Sequence, residues 1–222
     1  GTPNDIVFGA PPQNVSFSLK GGLIADNFEL ELSCATPGAL IRYTTDLTPP
    51  SNELGKESSQ YNGPISITAS TQVRAAAYYP GSLDGAVNTE TYIKASAEVL
   101  DFSSNLPVVV MSTLGKGSPP ETGSTTRKAA YMFFYEPDPD TGRAVLSGEA
   151  DLGTRAGLRK RGSSSGGWPK YAMSVETWND GDDEDRNIKP LGFSREADWI
   201  LSSRYQFDRA LMRNPLIYDL SH

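Results

Sequence analysis

The chain has 222 residues and a formal net charge of −7, from 20 Lys and Arg against 27 Asp and Glu. That length suits two domains of about 100 residues each, and the acidic balance argues against nucleic acid or an anionic membrane surface as the main partner. The one cysteine, Cys34, excludes an internal disulfide, and the one histidine, His222, excludes Ser-His-Asp chemistry and multi-His zinc sites unless another chain supplies them.

No apolar run reaches the roughly 20 residues of a membrane-spanning helix, and the first residues, GTPNDIVFGAPPQ, lack the basic start and apolar core of a signal peptide. Residues 1–15, rich in Pro, Gly and Asn, read as a linker or irregular lead-in. Strict alternation follows. Phe28, Leu30, Leu32 and Cys34 alternate with Glu29, Glu31 and Ser33; Ile41 and Tyr43 with Arg42; Ile65 and Ile67 with Ser66; Val73, Ala75 and Ala77 with Arg74. Period two is the mark of strands with one buried face, which makes Cys34 a small buried hydrophobe. Turn clusters at 35–39, 45–55, 61–64 and 79–85 separate these runs, so a small all-β sandwich is expected.

The series PGALIRYTTDLTPPS, YNGPISITASTQVRAAAYYPG and TETYIK resembles the chitobiase/β-hexosaminidase C-terminal-type domain over about residues 16–95. The resemblance implies an immunoglobulin or fibronectin III-like sandwich that serves as an accessory in large secreted proteins. Tyr43, Tyr61, Tyr78 and Tyr79 are then strand and core residues rather than a sugar platform, because tyrosine is common on half-buried strands.

Beyond Ala97 the pattern changes. LPVVVMST, 106–113, and AAYMFFY, 129–135, are continuous apolar runs of strand length, expected to be buried on both faces. TRAGLRKRG, 154–162, and KYAMSVETW, 170–178, alternate and bracket RGSSSGGWPK, 161–170, which reads as a strand-loop-strand connection. FSREADWILSSRY, 193–205, suggests a short helical turn begun by Ser194, with Glu196 in its first turn. DRALMRNPLIYDL, 208–220, reads as a helix capped by Asp208, kinked or stopped at Pro215.

Charge is segregated along this half. From Arg155 to Lys170 there are five cations and no acid; from Glu176 to Asp185 there are six acids and no base. A P-loop is rejected for 161–170: Gly162 and Gly167 have its spacing, but Trp168 follows and Tyr171 stands where Ser or Thr is needed. A Gly-rich loop between two strands, with Lys170 from the next strand, fits the way protein kinases cover phosphates; the bland reading is an exposed hairpin loop. Asp180, Asp182, Asp183 and Asp185 offer oxygens to a calcium ion but lack EF-hand spacing, so a solvated acidic loop is the default. Asp151 and Glu176 are single strand acids expected to pair with Arg155 or Arg159.

SNLPVVVMST, then 154–185, then LGFSREADWILSSRYQFDRALMRNPLIYDL resembles the CotH-type spore-coat protein kinase family over about residues 98–222. The resemblance implies a partial kinase-like α+β lobe, an antiparallel sheet with a C-terminal helix, behind the 16–97 sandwich. It implies that Arg161, Gly162, Ser163, Ser164 and Ser165 face nucleotide and that Lys170 contacts phosphate, paired with Glu176 or with an acid of the last helix such as Asp208. Arg213 and Asn214 match the family's Arg-Asn pair, with helix capping and packing as their alternative role. The family's catalytic and magnesium-binding aspartates are expected beyond His222, so this chain alone is expected to be inactive and without cofactor, and a parent enzyme to use ATP and magnesium on Ser or Thr of an extracellular protein. The expected setting is extracellular or cell-surface, in secreted multidomain proteins of bacteria. The alternatives are a non-enzymatic adhesion or assembly module, whose partner is another protein or further copies of itself, and a carbohydrate-binding accessory.

Overall fold

The computed structural model describes residues 8–53, 56–162 and 169–203. The alternating segments become short strands: β1 (Val15–Phe17), β2 (Gly22–Ile24), β3 (Phe28–Leu30), β4 (Leu32–Cys34), β5 (Leu40–Thr44), β6 (Ser59–Gln60), β7 (Ile65–Ile67), β8 (Thr71–Tyr78) and β9 (Asn88–Lys94). Five of them form a sheet in the order β2-β9-β8-β5-β6, in which β2 runs parallel to β9; the others pair as β1-β4 and β3-β7. The run 28–34 is extended throughout but changes partner at Glu31, so that Leu30 faces Ile65 of β7 while Leu32 faces Phe17 of β1. Because alternate side chains share a face, Leu30, Leu32, Val73, Ala75, Ala77 and Tyr92 meet in one core. Cys34 is half-buried against it, and its thiol donates to the Gln13 carbonyl.

One expectation from the alternation fails. Arg74 should point to water, yet only 1% of it is exposed, and every residue of β8 after Thr71 is buried. The 45–50 turn covers it from one side: Asp46 accepts from the Thr48 backbone at 3.0 Å, Leu47 takes a left-handed φ of 81°, and the Leu47 carbonyl accepts from Arg74 Nη1 at 2.5 Å. From the other side the Asp180 carbonyl, 106 residues away, accepts from Arg74 Nη2 at 2.7 Å. Burial, with Arg155 nearby, lowers the guanidinium to about 10, still charged at neutral pH. A long-range partner has overridden the period-two pattern.

The second half contains a short helix α1 (Ala97–Leu100), β10 (Ser103–Ser104), β11 (Val108–Ser112), β12 (Lys128–Tyr135), β13 (Ala144–Val145), β14 (Leu152–Arg161), β15 (Ala172–Trp178) and β16 (Asp198–Leu201). A second five-stranded sheet, antiparallel throughout, has the order β11-β12-β14-β15-β16, and β10 pairs with β13. As its sequence requires, β12 is buried on both faces. Tyr131, Phe133 and Tyr135 pack with Ala144, Leu146 and Ala150, and with Ile93 of β9; Ala130, Met132 and Phe134 pack with Ala156, Leu158, Val175 and Ile188.

The helical turn expected at Ser194 is replaced by extended chain. Ile188 and Glu196 exchange backbone hydrogen bonds at 2.9 and 3.0 Å, and β16 pairs with Met173–Glu176. A Ser cap contributes about 1 kcal/mol; pairing satisfies a strand's backbone groups and seats Trp199 and Leu201, two residues apart, on the apolar face. The expected helix over 208–220, with Arg213 and Asn214, lies outside the described residues.

Candidate functional site

β14 and β15 run antiparallel with Arg161 opposite Ala172, so residues 162–171 are the expected strand-loop-strand connection. β12 begins at Lys128, opposite Leu158. Past that point the segment leading into β12 takes over as neighbour to the basic end of β14. Lys160 donates its backbone N–H to Pro120 at 2.9 Å, and Arg159 donates to the Ser124 carbonyl. The Lys160 ammonium lies 2.6 Å from Glu121, which holds its pKa up, and 4.8 Å above the Tyr171 ring. Gly162 has φ of 106°, a backbone conformation that a side chain would strain, and its carbonyl accepts from the Thr122 hydroxyl at 2.8 Å. Arg161 is exposed at the end of β14. Lys170 is exposed just before β15, and its carbonyl accepts from the Ser203 hydroxyl at 2.9 Å. Ser163, Ser164 and Ser165, like Asp208, Arg213 and Asn214, lie outside the described residues.

Glu176 sits within β15, away from the connection. Its Oε2 takes Arg127 Nε at 2.9 Å and its Oε1 takes the Trp178 indole N–H at 2.8 Å. Arg127 also reaches the Ser174 hydroxyl at 3.1 Å and approaches Asp198 at 3.7 Å. The partners expected for the strand acids are therefore corrected: Glu176 pairs with Arg127, not with Arg155 or Arg159, and Asp151 accepts from the Glu136 backbone at 2.7 Å. Sequence reasoning missed Arg127, because only the register across β12, β14 and β15 brings residues 127 and 176 together. Gly157, between them, is required: a Cβ there would stand 2.1 Å from the Trp178 ring.

The acidic run is the expected exposed loop over residues 181–185, and it is also pinned from its inner side. Arg155, 3% exposed, donates at 2.6 Å to the carbonyls of Asn179 and Asp182 and at 2.6 Å to the Asp183 carboxylate. The basic strand and the acidic loop thus meet at a guanidinium held inside the turn. Among the described residues no three acidic, His or Cys side chains gather as metal ligands, so Asp180, Asp182, Asp183 and Asp185 do not converge. Of the tyrosines, Tyr78 is buried and donates to the Pro50 carbonyl at 2.9 Å, with its pKa pushed up to about 12 by burial. Tyr43 and Tyr61 pack on the core, and Tyr79 is exposed. No described helix is long and apolar enough to cross a membrane.

No curated protein matches the chain. Residues 30–92 match the family model described as Fn3 associated, inside the span expected to be a fibronectin-like sandwich. Residues 158–222 match the family model described as CotH kinase protein, which takes in the end of β14, the glycine-rich connection, β15 and β16. β11, β12 and most of β14 precede that match but belong to the same sheet. From residue 158 onward the chain is similar to CotH kinase proteins, and that region is preceded by one similar to Fn3-associated domains.

Proposed function

We propose that the C-terminal sheet is the nucleotide-facing part of a CotH-like protein kinase whose whole form phosphorylates Ser or Thr of a protein outside the cell, in a secreted or surface-attached bacterial context such as a coat. The observation that carries this reading is the glycine-rich connection between antiparallel β14 and β15, with Arg161 and Lys170 exposed at its two ends, inside the CotH-matching region. The left-handed Gly162 keeps the backbone free of a Cβ where phosphate oxygens would approach. Arg161, Gly162 and Lys170, together with Ser163, Ser164 and Ser165, would hold ATP; the nucleotide supplies the transferable phosphoryl group, and these residues bind it and balance its charge. Glu176 is a positioning residue in this reading, since Arg127 and Trp178 already occupy its oxygens. No magnesium ligand is assigned among the described residues.

ATP with magnesium, at about a hundred times its dissociation constant, should stabilise the fold by about 2.7 kcal/mol, a rise of several degrees in melting temperature. Lys170→Ala should remove most of that rise. No shift at millimolar ATP, or a shift unchanged in Lys170→Ala, overturns the reading.

A second reading, an assembly module, is favoured by one observation. Ile200 is 55% exposed on β16, a strand that pairs only with β15 among the described residues, and Phe193 nearby is 60% exposed. An apolar sheet edge invites pairing between copies. Light scattering that shows a concentration-independent monomer removes it.

A further inference from the structure

Between the N-terminal sandwich and the C-terminal sheet lies a cavity of about 190 Å³. Both halves build it: Thr89 and Glu90 come from β9, Tyr131 and Phe133 from β12, and Asp180 and Arg186 from the acidic loop. At about 30 Å³ per water it has room for about six waters, or for one small organic molecule.

Its polar groups are incompletely used. Thr89 is 8% exposed, and its hydroxyl is buried without a hydrogen-bond partner; it lies near enough to the Asp180 carboxylate to favour the charged form, but makes no bond of normal geometry to it. Tyr131, 6% exposed, also lines the cavity, and a Cβ on Gly153 would stand 2.9 Å from its hydroxyl. Glu90 Oε2 accepts the Gly21 N–H at 2.6 Å, while Oε1 makes no hydrogen bond among the described residues. Buried donors and acceptors in native proteins are almost always satisfied, so the Thr89 hydroxyl beside half-buried carboxylates at an open volume calls for a ligand or ordered water.

The charges select the ligand. Asp180 is balanced by Arg186 in the wall and by Arg74 and Arg155 behind it, while Lys20 at the rim acts on Glu90 and is tied to Glu149. A bare cation would meet Arg186 and Lys20 in the lining, and an anion Glu90 and Asp180. Phe133 and Ala150 give one wall an apolar character. A molecule with hydroxyls on its edge and C–H bonds on its face satisfies both kinds of wall without adding charge. We propose that this cavity binds a neutral polyhydroxylated molecule of monosaccharide size, with Glu90 and Asp180 accepting from its hydroxyls and Thr89, Tyr131 and Arg186 completing the set. The site is separate from the glycine-rich connection and does not depend on the kinase reading.

The test uses the full chain, with D-glucose, D-galactose and N-acetyl-D-glucosamine as probes in saturation-transfer NMR and calorimetry, beside glycine, calcium chloride and sodium phosphate. At least one saccharide should bind, and Thr89→Val and Glu90→Gln should each weaken it roughly tenfold or more. Thr89→Val keeps the shape of the side chain and removes an unpaired hydroxyl, so its melting temperature without sugar should stay level or rise; this variant keeps the test valid if Glu90→Gln misfolds. No saccharide bound at up to about 50 mM, binding untouched by Thr89→Val, or binding of only calcium, glycine or phosphate overturns the proposal.

Discussion

The N-terminal sandwich gathers its apolar side chains into one cluster between its own layers of strands, whereas β12 of the C-terminal sheet feeds two clusters, and one of them is completed by Ile93 from β9. The sandwich supplies its own core; the sheet takes part of one core from its neighbour. The polar groups follow the same division. Arg74 leaves the sandwich to bind the Asp180 carbonyl, and Lys20 reaches Glu149, so the sheet's loops are held by the sandwich as well as by their own strands. The fibronectin-like unit is here a structural support for the C-terminal sheet and not only a tether.

The largest expected effect tests that dependence. Ile93→Ala should cost about 2–5 kcal/mol and destabilise the C-terminal sheet although residue 93 belongs to the sandwich; Leu30→Ala should cost a similar amount inside the sandwich core alone. Calorimetry separates the cases, and an Ile93→Ala profile that changes only where Leu30→Ala changes would break the comparison. Arg74→Met, which keeps the length but removes both cross-links to carbonyls, should cost about 2–3 kcal/mol in urea unfolding; a loss within error would make the link incidental. Gly157→Ala should cost about 1–3 kcal/mol by displacing Trp178 and shift tryptophan emission, with no change in either quantity as the contrary outcome.

The smallest effect is a dependence on pH. Burial raises the carboxyl pKa values of Glu90 and Asp180 above their ordinary 4.5 and 3.8. The folded state therefore retains protons that the unfolded chain releases, and their contribution is present below the ordinary values and lost as pH rises through the raised ones. Glu90→Gln should flatten that decline in melting temperature; a profile parallel to that of the parent protein would exclude Glu90 as its source.

Much of the fold was legible because period and punctuation are local. Two-residue alternation marked β5, β7 and β8, the continuous run 129–135 marked a strand buried twice, and the small residues between two alternating runs marked the β14–β15 connection. The candidate site was legible to the extent that its residues fall within one ten-residue stretch, as Arg161, Gly162 and Lys170 do. Glu176 was legible as a strand acid, but Arg127, 49 positions earlier, was not. The turn at 193–201 misled because Ser194 and Glu196 carry a helix-start signal worth about 1 kcal/mol, less than a row of backbone bonds to β15 supplies.

By itself the sequence determined the elements: where strands run, where the chain must turn, and which short stretch of small residues joins two strands. These follow from side-chain periodicity and from the φ angles open to glycine, which neighbouring residues largely decide. Only the tertiary structure decided the partners. It buried Arg74 under a loop 106 residues away, wrapped the acidic run around Arg155, and enclosed Thr89, Glu90 and Asp180 around one cavity. Hydrogen bonds and ion pairs act through space over a few ångströms, so residues far apart in the chain become partners only when sheet register and packing bring them within reach.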